Sequence, residues 1–196
     1  MANIAETEKN LIRRGFVVRC FDTARQASNY LDEQIDQTTV SFGGSVTVQQ
    51  MGLYPRLAAH NKAIWHWDGG GLEDAMHTDA YITSVNGLAE TGELISIDGT
   101  GNRVASSLFG HRRVYFVVGI NKLAPDYDSA LWRARNIAAP KNAQRLGRKT
   151  PCAIRGDRCY DCRSPQRICR GLMVLWGPMA GAQATEVLLI NQELGY

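Results

Sequence analysis

The stretch TTVSFGGSVTVQQ, residues 38–50, decides the fold. Thr38 to Phe42 is a short run of β-branched and aromatic residues, the composition of a buried strand. Gly43-Gly44-Ser45 breaks it, and a helix-like run follows from Val46 to Ala59 with a bend expected at Pro55. Strand, glycine turn and helix together make the elementary unit of an α/β protein. The alternation continues outward in both directions. Upstream, Ile4 to Arg14 reads as a helix stopped by Gly15, and Phe16 to Cys20 as a strand with Cys20 in the core. Ala24, Ala27, Leu31 and Ile35 recur at helical spacing behind a cap at Asp22 or Thr23. Downstream, strands are expected at Lys62 to Trp67, Ala80 to Ser84, Leu94 to Asp98, Arg113 to Ile120, Leu172 to Trp176 and Glu186 to Asn191. Helices fall at Arg103 to Phe109 and at Asp126 to Leu146, the latter kinked by Pro140 and ended by Gly147. The pattern predicts an α/β fold, a mostly parallel sheet with helices on both faces.

The 196 residues suit a single domain, residues 1–196, within the ~100–200 residues usual for one. A hydrophobic fraction of 44% and a charged fraction of 21% argue for a folded chain. The opening MANIAETEKNLIRRG lacks the apolar centre of a secretion signal. No stretch approaches the ~20 apolar residues of a membrane span, so a cytoplasmic protein is expected. The formal charge is +3, but Arg145 to Arg170 holds eight Lys or Arg against two acids. A patch this concentrated suits an anionic neighbour, a solvated basic loop being the blander alternative.

In open α/β sheets ligands bind beyond the carboxyl ends of the strands, so the turns there are the candidates. Gly43-Gly44-Ser45 offers backbone N–H groups and a hydroxyl to an anion, or is a plain glycine turn with Ser45 as the helix cap. Asp98-Gly99-Thr100-Gly101-Asn102-Arg103 carries a carboxylate, an amide, a guanidinium and two glycines at a helix start. Lys122 follows the most apolar strand, where a lone lysine is commonly solvated. TSVNGLAETGEL adds Asn86 and Glu90; Glu90 and Asp98 are the candidate acid–base residues, Glu90 reading equally as a surface acid. A small-anion pocket is expected from Gly43, Gly44, Ser45, Asn86, Gly101, Asn102, Arg103 and Lys122. The four histidines have no metal-ligand spacing and read as structural or surface residues. Neither G-x-G-x-x-G nor a P-loop occurs.

PCAIRGDRCYDCRSPQRICR, residues 151–170, holds four of the five cysteines, Cys152, Cys159, Cys162 and Cys169, spaced C-x6-C-x2-C-x6-C. Disulfides are disfavoured in a reduced compartment and needless in a domain of this size. Four thiolates from one loop suit an iron–sulfur cluster or a structural zinc, and the spacing leaves both open. A basic zinc loop binding nucleic acid is a further alternative, weakened because Tyr160 is the loop's lone aromatic.

The stretches SFGGSVTVQQMGL, TSVNGLAETGEL, IDGTGNRVASSLFG, VVGINKLAPDYDSALWRARNIAAPKNAQRLGRKTPC, CYDCRSPQRIC and VLLINQELGY resemble the signature stretches of the lactate-utilization (LUD) domain family. The resemblance covers nearly the whole chain and is closest to the short branch ending in a cysteine segment. It implies an α/β fold like that of the ribose-5-phosphate isomerase and CoA-transferase group, with ligands at the strand ends, and a link to lactate or related hydroxy-acid oxidation. The family name is an operon association and supplies no reaction. The reading is therefore a cytoplasmic protein with a small-anion pocket and a 4Fe-4S cluster on the four cysteines, zinc being the alternative. It allows for a redox partner protein and a homo-oligomer. Its rival is an isomerase, transferase or hydrolase working through Glu90 or Asp98 with a structural zinc.

Overall fold

In a computed structural model, which describes residues 3–196, the chain builds two sheets. The strands are β1 (Val17–Phe21), β2 (Thr39–Phe42), β3 (Lys62–Trp65), β4 (Ala80–Thr83), β5 (Gly87–Ala89), β6 (Leu94–Asp98), β7 (Arg113–Gly119), β8 (Leu123–Ala124), β9 (Gly171–Leu175) and β10 (Ala184–Ile190). The helices are α1 (Ile4–Arg13), α2 (Ala24–Gln34), α3 (Val46–Gln50), α4 (Leu53–Ala58), α5 (Leu72–Ala75), α6 (Asn102–Leu108), α7 (Tyr127–Arg133), α8 (Ala139–Arg145) and α9 (Pro151–Arg155). Six strands in the order β1-β10-β7-β4-β2-β3 pair in parallel throughout. A smaller sheet, β8-β5-β6-β9, is mixed: β6 pairs antiparallel with β5 and β9, and β5 pairs in parallel with β8.

Both faces of the large sheet are buried, which explains the unbroken apolar runs at residues 114–118 of β7 and 187–190 of β10. Tyr115 and Val117 of β7, with Leu188 and Ile190 of β10, face a core closed by Ala27 and Leu31 of α2, Val48 of α3 and Leu53 and Leu57 of α4. The alternate residues Val114, Phe116, Val118, Val187 and Leu189 face Leu11 of α1 together with Leu94, Met173 and Leu175 of the small sheet. Helices therefore cover one face, while on the other the small sheet shares the cover with α1 and α6. A third cluster packs Ala89, Ile95 and Ala124 against Ala130 and Ala134 on the α7 side.

Three local expectations are corrected. The run from Val46 to Ala59 breaks at Gly52, whose φ of +63° suits a residue without a Cβ, and Pro55 is accommodated inside α4. The long helix is not simply kinked: Ala134–Ala138 widens into a π turn between α7 and α8, just ahead of Pro140, which has no N–H to continue the ladder. Cys20 is exposed, because β1 is an edge strand and not a central one. Among the described residues no helix is long and apolar enough to cross a membrane.

Candidate functional site

A cavity of about 450 Å³ opens at the carboxyl ends of β2, β3, β4 and β7. Gly44, Ser45, Asn86, Asp98, Asn102, Arg103 and Lys122 line it, so most of the expected pocket residues meet there. Gly43 and Gly101 lie just behind the wall. A Cβ at Gly43 would come within 2.4 Å of the Tyr81 hydroxyl and 2.6 Å of Thr83 Oγ1, so that position needs glycine for close approach. Ser45 is the N-cap of α3, its Oγ accepting from Val48 N at 3.3 Å.

The structure carries Glu90 elsewhere. β5 and β6 form an antiparallel hairpin whose open ends, Asn86 and Asp98, reach the cavity, while Glu90 sits in its turn. There its carboxylate accepts from Asn3 N at 2.5 Å and its carbonyl from Asn10 Nδ2 at 2.8 Å, tying the turn to α1. Asp98 is in the wall but occupied. Its Oδ1 accepts from Gly99 N at 2.7 Å and Thr100 N at 3.2 Å, and its Oδ2 from Val104 N at 3.0 Å. Burial raises its pKa, but the Arg103 charge and the surrounding N–H groups outweigh burial and hold it below the usual carboxylate range. An anion so held shapes the turn; it does not donate a proton near neutral pH.

Arg103 is spent on the fold as well. Its Nη1 donates to Ser84 O at 3.0 Å and Ser96 Oγ at 3.3 Å, and its Nη2 to Asn86 Oδ1 at 2.9 Å and Ile97 O at 2.5 Å. The expected forked donor is thus a brace that contributes charge more than free N–H groups. Asn86 Oδ1 also accepts from Ile97 N at 2.7 Å.

Lys122 lines the cavity, and the blander alternative of a solvated lysine is what the structure replaces. The residue is only 4% exposed. Its Nζ donates to Thr47 Oγ1 at 2.7 Å, Ser84 Oγ at 2.8 Å and Val85 O at 3.1 Å. The two hydroxyls donate onward, Thr47 to Leu194 O and Ser84 to Val117 O, so three neutral acceptors face three N–H bonds of an ammonium. Burial, and then the charges of Arg133 and Arg103, push its pKa well below the usual lysine value. Arg133, also buried, donates to Asn121 O at 2.8 Å and Asn86 O at 2.6 Å, and burial lowers its pKa to about 10. None of Lys122, Arg103 and Arg133 forms an ion pair among the described residues.

At the mouth stand Arg145, Arg148, Arg167 and Arg170, the last two from the cysteine segment, which forms one wall through residues 165–168 and 170. His66 and Trp67, at the end of β3, complete the lining. Burial lowers the His66 pKa while Asp98 raises it, and burial prevails, so the ring is neutral at pH 7. The other histidines fit the structural reading. His111 stacks on Tyr81 with its Nδ1 2.8 Å from Thr78 O, and His60 pairs with Asp32 and Asp36.

The four segment cysteines are free thiols, but they are not gathered. No group of three or more His, Cys, Asp or Glu among the described residues is placed to hold a metal ion. Arg167 instead reaches between them, with Nη2 3.4 Å from Cys169 Sγ and Nη1 3.0 Å from Cys162 O. Arg135 Nη2 lies 3.9 Å from Cys159 Sγ, and Cys159 and Cys169 line a second cavity of about 230 Å³. Ile97, Arg167 and Arg170 line both cavities.

An α/β protein with a cation-rich cavity at the strand ends is the class these features define. The chain belongs to the LUD domain family, whose family model matches residues 4–190. Its structure is similar to that of a DUF162 family protein from Deinococcus radiodurans, with a TM-score of 0.60 over 95% of each chain at 13% identity, a likeness of fold alone. Ribose 5-phosphate isomerase from Plasmodium falciparum matches over 52% of each chain, at a TM-score of 0.32 and 10% identity, too slightly to carry an argument. None of the curated proteins compared with the chain matches it.

Proposed function

We propose that the chain binds a small anionic metabolite at the strand ends, in a role related to lactate utilization. Membership of the LUD domain family supports the metabolic setting. One observation carries the anion: Lys122 and Arg103 line a cavity with four arginines at its mouth, against a single acid, Asp98, already bonded to its own turn. Buried cations without a counter-charge are costly, and a bound anion would offset that cost. The rival reading through Glu90 or Asp98 has less support, because Glu90 is bonded to Asn3 N at the start of α1 and Asp98 is occupied. The test is calorimetric titration with L-lactate, pyruvate and inorganic phosphate at low and high salt. Binding of at least one anion, weakened by salt, is expected; absence of binding by all three at low salt overturns the proposal.

A second proposal concerns the cysteine segment: it takes a metal centre, an iron–sulfur cluster in the first place and zinc as the alternative. Its support is chemical, namely four free thiols in one segment at C-x6-C-x2-C-x6-C spacing with arginines beside Cys159 and Cys169. As arranged the thiols do not fit one ion, so binding would have to draw the segment together. Protein prepared without oxygen is expected to be brown, with iron and sulfide in equal amounts, and Cys159→Ser or Cys162→Ser to lose the metal while the α/β core stays folded. A colourless protein with one zinc per chain would replace the cluster by zinc, and metal-free protein after anaerobic reconstitution would overturn both.

A further inference from the structure

The positive charge around the large cavity is of two kinds. On the floor Lys122 is buried and Arg103 half-buried, and their donors are used up: all three Nζ bonds of Lys122, and both terminal nitrogens of Arg103, go to the protein's own oxygens. Such groups act through their field. At the mouth Arg167 is committed to Cys162 O and Cys169 Sγ, while Arg145 and Arg148 keep donors available. Arg145 lies with its guanidinium carbon 4.7 Å from the centre of the Trp67 ring, and its Nε and Nη2 share Asn142 Oδ1 at 3.1 and 2.9 Å. Trp67 is itself stacked on Trp65, 5.0 Å between ring centres, so the arginine rests on a fixed aromatic pile. Beyond Asn142 and Trp67, Arg145 stands against the Tyr196 hydroxyl, and among the described residues no carboxylate pairs with it or with Arg148.

Size points the same way. A three-carbon acid of six heavy atoms, at roughly the ~30 Å³ that a water molecule takes for each, fills less than half of the cavity's 450 Å³. A monoanion held over the floor would leave Arg145 and Arg148 empty; one held at the mouth would leave the buried charge unmatched. We infer that the ligand carries two anionic groups, one directed to the floor beside Lys122 and Arg103 and one taken by the mouth arginines, with Arg145 as the specificity-determining residue. Small dicarboxylates and phosphorylated carboxylates form that class. The inference rests on the anion-binding reading of the same cavity and narrows it.

Matched probes test it: L-lactate against L-malate, which adds one carboxylate, and D-glycerate against 3-phospho-D-glycerate, which adds a phosphate. Titrations are run on the parent, Arg145→Gln and Arg148→Gln, with each variant's melting temperature recorded. In the parent the member with two anionic groups, in at least one pair, is expected to bind about tenfold or more tightly than the member with one, the worth of one charged hydrogen bond. Arg145→Gln, at an unchanged melting temperature, is expected to bring that ratio close to one. Should its melting temperature fall, the same collapse in Arg148→Gln supplies the reading. Equal affinities within both pairs in the parent overturn the inference and leave the anion site standing. A ratio that survives both substitutions overturns the role of the mouth. No binding by any probe overturns the inference and the anion site together.

Discussion

Replacing Lys122 by Met separates what the lysine costs the fold from what it gives the cavity. Methionine has nearly the same reach, so the hole is filled, while three hydrogen bonds to neutral oxygens and one uncompensated charge are removed. Removing a buried charge that no counter-charge offsets relieves several kcal/mol of desolvation, while each buried acceptor left without a donor costs about 1–3 kcal/mol. At neutral pH the two effects oppose, so Lys122→Met should stay close to the parent in stability. The pH dependence is sharper. The folded pKa lies below the lysine value of 10.5, so between the two the unfolded chain binds more protons than the folded one. Over that window the parent should gain stability with rising pH at about 1.4 kcal/mol per pH unit. Below the folded pKa both states hold the proton and the penalty is constant. Urea unfolding of both proteins from about pH 7 to the ordinary lysine value measures the difference, in which every other titrating group cancels to first order. The variant's stability relative to the parent should fall as pH rises, and its affinity for any anion the parent binds should fall. A variant less stable by a pH-independent amount, with anion affinity intact, would refute the reasoning: Lys122 would then be an ordinary packing residue.

Asp98→Ala removes the acceptor that gathers Gly99, Thr100 and Val104 and should lower stability by about 1–2 kcal/mol, as loss of a helix cap does. Because the folded Asp98 pKa is depressed, its contribution is present above the usual value of 3.8 and fades as pH falls through the lower folded value. Chemical unfolding curves of parent and variant should accordingly converge in acid, and a gap that stays constant there contradicts the assignment. Gly43→Ala places a methyl 2.4 Å from the Tyr81 hydroxyl and 3.1 Å from Arg103 Cγ; overpacking of about 1–3 kcal/mol is expected, visible as a lower melting temperature. An unchanged melting temperature would mean that the strand end yields more easily than its contacts suggest.

The large sheet was legible because strands buried on both faces leave unbroken apolar runs, as in Val114 to Val118, and because caps such as Thr23 and stops such as Gly15 bound the helices. The small sheet was not. β5 and β8 are three and two residues long, below the length at which alternation can be seen, and Leu94 to Asp98 carries no mark of its antiparallel pairing. The same hairpin misled the reading of Glu90: Asn86 and Asp98 were found by their place after strands, but only the β5–β6 pairing reveals that the residue between them faces away. The burial of Lys122 had no signature, since a lysine after a strand looks alike in water or in the core. Arg133 did leave one. It falls three residues after Ala130 and one before Ala134, both fully buried, and so belongs to the apolar face of its helix. His66 and Trp67 follow β3 directly and were open to the strand-end rule that located the other residues.

The strand order also sets a timetable. β1 leaves the ribosome before the other strands of the two sheets, yet its neighbour in the sheet is β10, the last of them in chain order. Until Ala184–Ile190 emerges, α1 and β1 have no edge to join, and β7 waits with one side unpaired. Leu194, just behind β10, then supplies the carbonyl that accepts from Thr47 and the N–H that bonds Asn121 Oδ1 at 3.0 Å, on either side of the lysine. Enclosing Lys122 is thus among the last steps in closing the two sheets, and until β10 and Leu194 arrive its ammonium stays in water, where carrying a charge costs nothing.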